Sequence, residues 1–171
     1  MTRPRSPVLL DTNVILECFR VGSWRALSSG YGLRTVEACF TETQAGFPRR
    51  RPELRIDPVY LKNTLRAVHA VMGRELAAVA VRAPDILLDE GERVLWAHAL
   101  TRSDAWVFCG PDKASLRMGI RLGFKDRRIA LETLLDAVGH RPNEALRKAY
   151  TASWLKQALA ELRIAEGLDR L

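Results

Sequence analysis

Val8-Leu9-Leu10-Asp11-Thr12-Asn13 places three apolar residues directly before an aspartate near the start of the chain. The run is too short for a helix and is bounded by polar turn formers, so it predicts a first strand. From Asn13 the apolar spacing changes to Val14, Ile15, Cys18 and Phe19, a helical stripe. A strand that hands over at once to a helix is the opening of a βα unit.

The pattern repeats. Val21-Gly22-Ser23 offers a break and a fresh N-cap for a short helix over residues 24–27. Gly30-Tyr31-Gly32 is turn chemistry, residues 33–36 predict strand two, and a helix carrying Glu42 follows, ending near Gly46 and Pro48. Residues 48–58 are rich in arginine and proline and predict an exposed loop, the best internal candidate for a substrate-facing arm. Leu61, Leu65, Val68 and Val71 or Met72 recur at three to four residues and predict a helix to about Gly73. Residues 76–81 are ambiguous and are a candidate for another strand.

Asp89 to Leu100 predicts a strongly apolar helix with an acidic start. Residues 105–109 (AWVFC) are a nearly continuous apolar run with β-formers, expected of a central parallel strand buried on both faces and ending at Gly110-Pro111-Asp112. A helix resumes with Ala114, Leu116, Met118, Ile120 and Leu122, and Gly123 stops it. Residues 128–131 predict a last strand, Leu134, Leu135 and Val138 a short helix closed by Gly139, and Leu155, Leu159 and Leu162 one face of a final helix beyond Pro142. The alternation implies an α/β fold, a mostly parallel sheet flanked by helices in an α/β/α sandwich. We expect one domain over residues 1–171, with a core of about 7–138 and a helical extension of about 142–171.

Composition supports a folded chain: 171 residues with 47% hydrophobic content can bury a sizeable core. Lys and Arg outnumber Asp and Glu by 27 to 20, and a formal charge of +7 favours polyanionic partners. Arg49, Arg50 and Arg51 are the densest basic run; guanidinium forks suit phosphate oxygens, although such a run is equally a solvated basic loop. Cys18, Cys39 and Cys109 are odd in number and widely spaced, which fits reduced core residues and neither a disulfide framework nor a zinc site. His69, His98 and His140 share no ligand spacing. No apolar stretch is long enough to span a bilayer and no signal peptide is evident, so no membrane association and a cytoplasmic location are expected. A glycine-rich phosphate loop after strand one is absent, which counts against a nucleotide-binding doubly wound domain.

The carboxylates carry the chemistry. Asp11 and Asp112 each follow a predicted strand, and carboxyl ends of parallel strands line the ligand crevice in open α/β sheets. Glu42 and Glu92 lie on helices able to face them. An oxygen-only cluster suits Mg²⁺ or Mn²⁺, because several carboxylates in one pocket repel each other without a hard cation. Each residue also has an ordinary explanation: Asp11 and Asp112 as N-caps, Glu42 as a solvated helix residue, Asp89-x-x-Glu92 as a capping box.

The order of these signals resembles the PIN-domain family. Val8-Leu9-Leu10-Asp11-Thr12-Asn13 is similar to its opening strand and first acid. Thr35-Val36-Glu37-Ala38-Cys39-Phe40-Thr41-Glu42 resembles its second motif and selects Glu42 over Glu37. Leu88-Asp89-Glu90-Gly91-Glu92 resembles a "GE" form of the third, and residues 106–112 the strand ending in the fourth acid. Glu92 stands where an aspartate is commoner and Gly110 where a Thr or Ser is commoner, which leaves Asp89 or Glu90 as alternative ligands.

The resemblance implies a metal-dependent ribonuclease with Asp11, Glu42, Glu92 and Asp112 holding one or two Mg²⁺ or Mn²⁺ ions. It further implies Thr12 and Asn13 orienting Asp11 or a water, and Arg49, Arg50 and Arg51 holding the RNA backbone. It points to the toxin of a toxin and antitoxin pair, with an antitoxin protein partner and a homodimer. Housekeeping RNA processing and a catalytically silent binding module are the alternatives.

Overall fold

A computed structural model describes residues 6–45 and 55–167. Four parallel strands, β1 (Val8–Leu10), β2 (Leu33–Val36), β3 (Ala67–His69) and β4 (Val107–Cys109), form one sheet in the order β3-β2-β1-β4. The helices in chain order are α1 (Thr12–Arg20), α2 (Trp24–Gly30), α3 (Glu37–Gln44), α4 (Pro58–Thr64), α5 (Gly73–Arg82), α6 (Glu90–Thr101), α7 (Lys113–Arg121), α8 (Leu131–Ala137) and α9 (Ala152–Ala165). None of those described is long and apolar enough to cross a membrane.

Alternation along β1 divides the core between the two faces of the sheet. Val8 and Leu10 meet Leu27, Leu33, Leu61 and Leu134 on one side, while Leu9 meets Val36, Leu95, Trp96 and Phe108 on the other. Period-two side chains thus give a three-layer α/β/α sandwich, the expected fold class. The three cysteines are buried and free. The closing segment returns to α1: Arg20 bonds Glu144 and the Ala145 carbonyl, both at 2.8 Å, and α9 packs on α7 and α8.

Several local expectations are corrected. The helix expected over residues 61–73 ends at Thr64, and the chain turns into β3 instead. Leu61, Leu65 and Val68 do share one core, but β2 offered a free edge, and the Arg66 N–H takes the Leu33 carbonyl at 2.7 Å. Backbone pairing outweighed a helical spacing over so short a stretch. Residues 76–81, open between helix and strand, belong to α5, whose start is closed by the Glu75 carboxylate on the Met72 N–H at 2.5 Å.

The strand expected over 105–109 is β4 alone, and it lies at the end of the sheet's order, not in its centre. Its burial comes from covering segments. The strand expected over 128–131 shrinks to a single parallel bridge between Phe108 and Arg128, because α8 already begins at Leu131. The helix expected over 24–27 runs on to Gly30, and Ser23 makes no capping bond, its hydroxyl pairing with His140 at 3.0 Å.

Candidate active site

Strand order explains why Asp11 and Asp112 come together. The chain leaves β1 towards β2 and β3 on one side, while β4 lies against the other, so the β1/β4 boundary is where connections diverge and a crevice opens at the strands' carboxyl ends. Asp11 follows β1 and Asp112 follows β4 after Gly110-Pro111; the Asp11 N–H donates to the Cys109 carbonyl at 3.1 Å. Gly110 permits the approach, since a Cβ there would stand 3.1 Å from the Asp11 Cβ.

Both aspartates do cap helices. Asp11 accepts from the Asn13 N–H at 3.2 Å, and Asp112 from the Ala114 and Ser115 N–H groups at 2.7 and 3.1 Å. Capping uses one oxygen of each carboxylate, so it fixes the side chain without consuming it.

Glu42 is carried in by the second turn of α3. The Thr12 hydroxyl donates to its Oε2 at 2.5 Å and the Gly91 N–H to its Oε1 at 3.0 Å, joining α1, α3 and α6. Gly91 leaves room for this carboxylate: a Cβ would lie 2.6 Å from Glu42 Oε2, so a side chain there would push it aside. Glu37, by contrast, is exposed. Thr12 therefore orients Glu42, whereas Asn13 touches Asp11 through its backbone and leaves its side chain exposed.

The Asp89-x-x-Glu92 pair forms half a box. Asp89 accepts from the Glu92 N–H at 2.8 Å, while the Glu92 side chain is buried, 2% exposed as a residue. Burial pushes the Glu92 carboxyl up to about 9, with Asp112, Asp11 and Asp89 adding repulsion and Arg128 opposing it. Burial likewise raises Asp11 to about 6, with Asp89 and Glu42 adding to it against the Asn13 and Thr12 N–H groups. Asp11 thus lies in electrostatic reach of Asp89 and Glu42, and Glu92 in reach of Asp112, Asp11 and Asp89. Glu90 is exposed in the first turn of α6. Arg49, Arg50 and Arg51 lie outside the described residues.

Oxygen-only carboxylates are the donor chemistry a hard divalent cation suits. As they stand, no three His, Cys, Asp or Glu among the described residues are arranged as a finished metal-holding set. The acids are gathered but not converged. A cleft of about 470 Å³ bounded by α8 and residues 141–146 stands apart from them, lined by none of the five.

One residue of this region was missed. Arg128 is buried, and its guanidinium donates to the Gly110 carbonyl at 2.7 Å and the Ser115 hydroxyl at 3.2 Å. Burial pulls it down to about 10, so it remains a cation at neutral pH. In the sequence Arg128 ends the charged stretch Lys125-Asp126-Arg127-Arg128, and nothing there sets it apart from its neighbours. No family model, curated protein or solved structure matches the chain.

Proposed function

We propose that this chain is a divalent-metal-dependent endoribonuclease that hydrolyses RNA phosphodiesters at the acid cluster between β1 and β4. The observation that supports this is the gathering of Asp11 and Asp112 at the β1/β4 divergence point, with buried Glu92 brought up by α6 and Glu42 by α3. Nothing in the packing of the core requires so many like charges together, and their mutual repulsion is relieved by a cation.

Asp11, Glu92 and Asp112 would hold Mg²⁺ or Mn²⁺, with Glu42 contributing through its remaining lone pairs. Bound there, the ion supplies an acidified water and stabilises the charge that builds on phosphorus. The chain's own residues do the positioning. Thr12 and the Gly91 N–H hold Glu42 against rotation, and the capping amides of Asn13, Ala114 and Ser115 hold Asp11 and Asp112. The +7 charge draws the phosphate backbone, and Arg49, Arg50 and Arg51 are the side chains assigned to grip it. A toxin's role, with an antitoxin partner, a homodimer and a cytoplasmic site of action, belongs to the same proposal.

The engaged oxygens of Glu42 favour a second reading, a catalytically silent module that binds nucleic acid or protein. Labelled single-stranded RNA incubated with Mg²⁺ or Mn²⁺ separates the two. Wild type is expected to leave 5′-phosphate and 3′-hydroxyl ends, and Asp11→Asn and Asp112→Asn, which keep their capping oxygens, to lose at least about 100-fold. Equal cleavage by the variants would remove the site; binding without cleavage by wild type would favour the silent module.

A further inference from the structure

Arg128 is expensive where it is. Taking a guanidinium out of water costs several kcal/mol, and an apolar residue of similar volume would fill the same space without that penalty. Among the described residues it has no ion pair; its two hydrogen bonds go to neutral oxygens, and its Nε has no partner. The guanidinium lies over the Phe108 ring at 4.1 Å, and its backbone is pinned by the bridge to Phe108.

The two acceptors are informative because they flank one acid. Gly110 stands two residues before Asp112, and Ser115 three residues after it. Ser115 also gives its N–H to the Asp112 carboxylate at 3.1 Å, and its hydroxyl is held from the other side by the Trp96 indole N–H at 2.9 Å. One rigid fork therefore clamps both ends of the segment that carries Asp112, a task that a flexible ammonium cannot perform. The fork's charge also faces Glu92, Asp11 and Asp112 from inside the protein.

We infer that Arg128 is a positioning residue of the acid site: its fork sets where Asp112 stands, and its charge is a fixed internal counter-ion that weakens cation binding while it aligns the acids. This rests on the reading of the acids as a metal-dependent hydrolytic site. Buried as it is, Arg128 acts through Asp112 and not on the substrate.

The two roles separate in substitution. Arg128→Met removes charge and fork but keeps volume; Arg128→Lys keeps the charge alone. Mn²⁺ titration of the full chain, followed by electron paramagnetic resonance, is compared with single-turnover RNA cleavage and urea unfolding. Arg128→Met is expected to bind Mn²⁺ about 10-fold more tightly, because a repelling cation is gone, and to cleave about 10- to 100-fold more slowly. Arg128→Lys is expected to keep wild-type Mn²⁺ affinity and still cleave slowly. A merely structural residue would weaken binding and cleavage together, and that parallel loss, or wild-type behaviour in both, overturns the inference.

If Arg128→Met does not fold, Ser115→Ala carries the test by removing one arm of the clamp while leaving the charge. Slower cleavage at unchanged Mn²⁺ affinity is then expected, and wild-type cleavage overturns the inference. Asp112→Asn, run alongside, isolates the underlying reading: if it cleaves like wild type, the site itself is wrong, whatever Arg128 does.

Discussion

Glu17 and Glu92 are both buried glutamates on helices that flank the same sheet, 1% and 2% exposed, yet their surroundings are opposite. Glu17 meets Arg20 through two bonds of 2.8 and 2.6 Å and accepts the Arg147 N–H at 2.9 Å. Burial pushes its pKa upward, but these partners overcome it and hold the carboxyl below its ordinary range. Glu92 has acids for neighbours and is driven up to about 9. A buried carboxylate that is fully partnered ties the return segment to α1 and serves the fold. One left among like charges is a structural liability, and the proposed metal site rests on that liability.

The comparison breaks most visibly at Glu17. Glu17→Ala strands the Arg20 and Arg147 donors and is expected to lower unfolding free energy by roughly 3 kcal/mol, read by urea denaturation. A change under about 0.5 kcal/mol would mean that the ion pair contributes nothing to the fold.

Cation binding should show the opposite side. Mn²⁺ at 100 times its dissociation constant is expected to add about 2.7 kcal/mol, or about 5 to 10 °C in melting temperature. At one fixed Mn²⁺ concentration the gain should be larger at pH 8 than at pH 6, because the acids release protons on binding and the dissociation constant falls. A melting temperature indifferent to Mn²⁺ at both values would leave Glu92 without its supposed ligand.

Smallest is the effect of Glu92→Gln without metal, expected within about 1 kcal/mol at neutral pH, since the raised carboxyl is already protonated there. Its signature is in the pH profile. Asp11 and Glu92 have raised folded values, so the stability they contribute is whole below the ordinary carboxylate range and is lost as pH rises through about 6 and then about 9. Glu17 runs the other way: its contribution is present above the ordinary glutamate value and is lost as pH falls through its lowered one. Melting in EDTA from pH 5 to 9 should therefore slope downward, and Glu92→Gln should flatten the alkaline part. An unchanged slope would place the titration elsewhere.

Much of this was open to inspection in the chain. The strand ends before Asp11 and Asp112 announced themselves as short apolar runs halted by an acid, and the helix carrying Glu42 and the start of α6 were equally legible, because these signals are local. The choice of Glu42 over Glu37 came from resemblance; in the fold Glu42 is held by Thr12 and the Gly91 N–H, while Glu37 is exposed. β3 was lost to a helical spacing, and β4 was put in the centre of the sheet, because strand pairing depends on which edge is free elsewhere.

What the sequence determined by itself is the βα alternation, the parallel sheet it demands and the two aspartates at strand ends, since periodicity and turn chemistry act over a few residues. Only the tertiary structure decided that Glu92 is buried among acids while Glu17 is paired, and that Arg128 reaches Gly110 and Ser115 to clamp Asp112. Burial and partner choice are properties of residues far apart in the chain, and a charge's meaning is set by what folds against it.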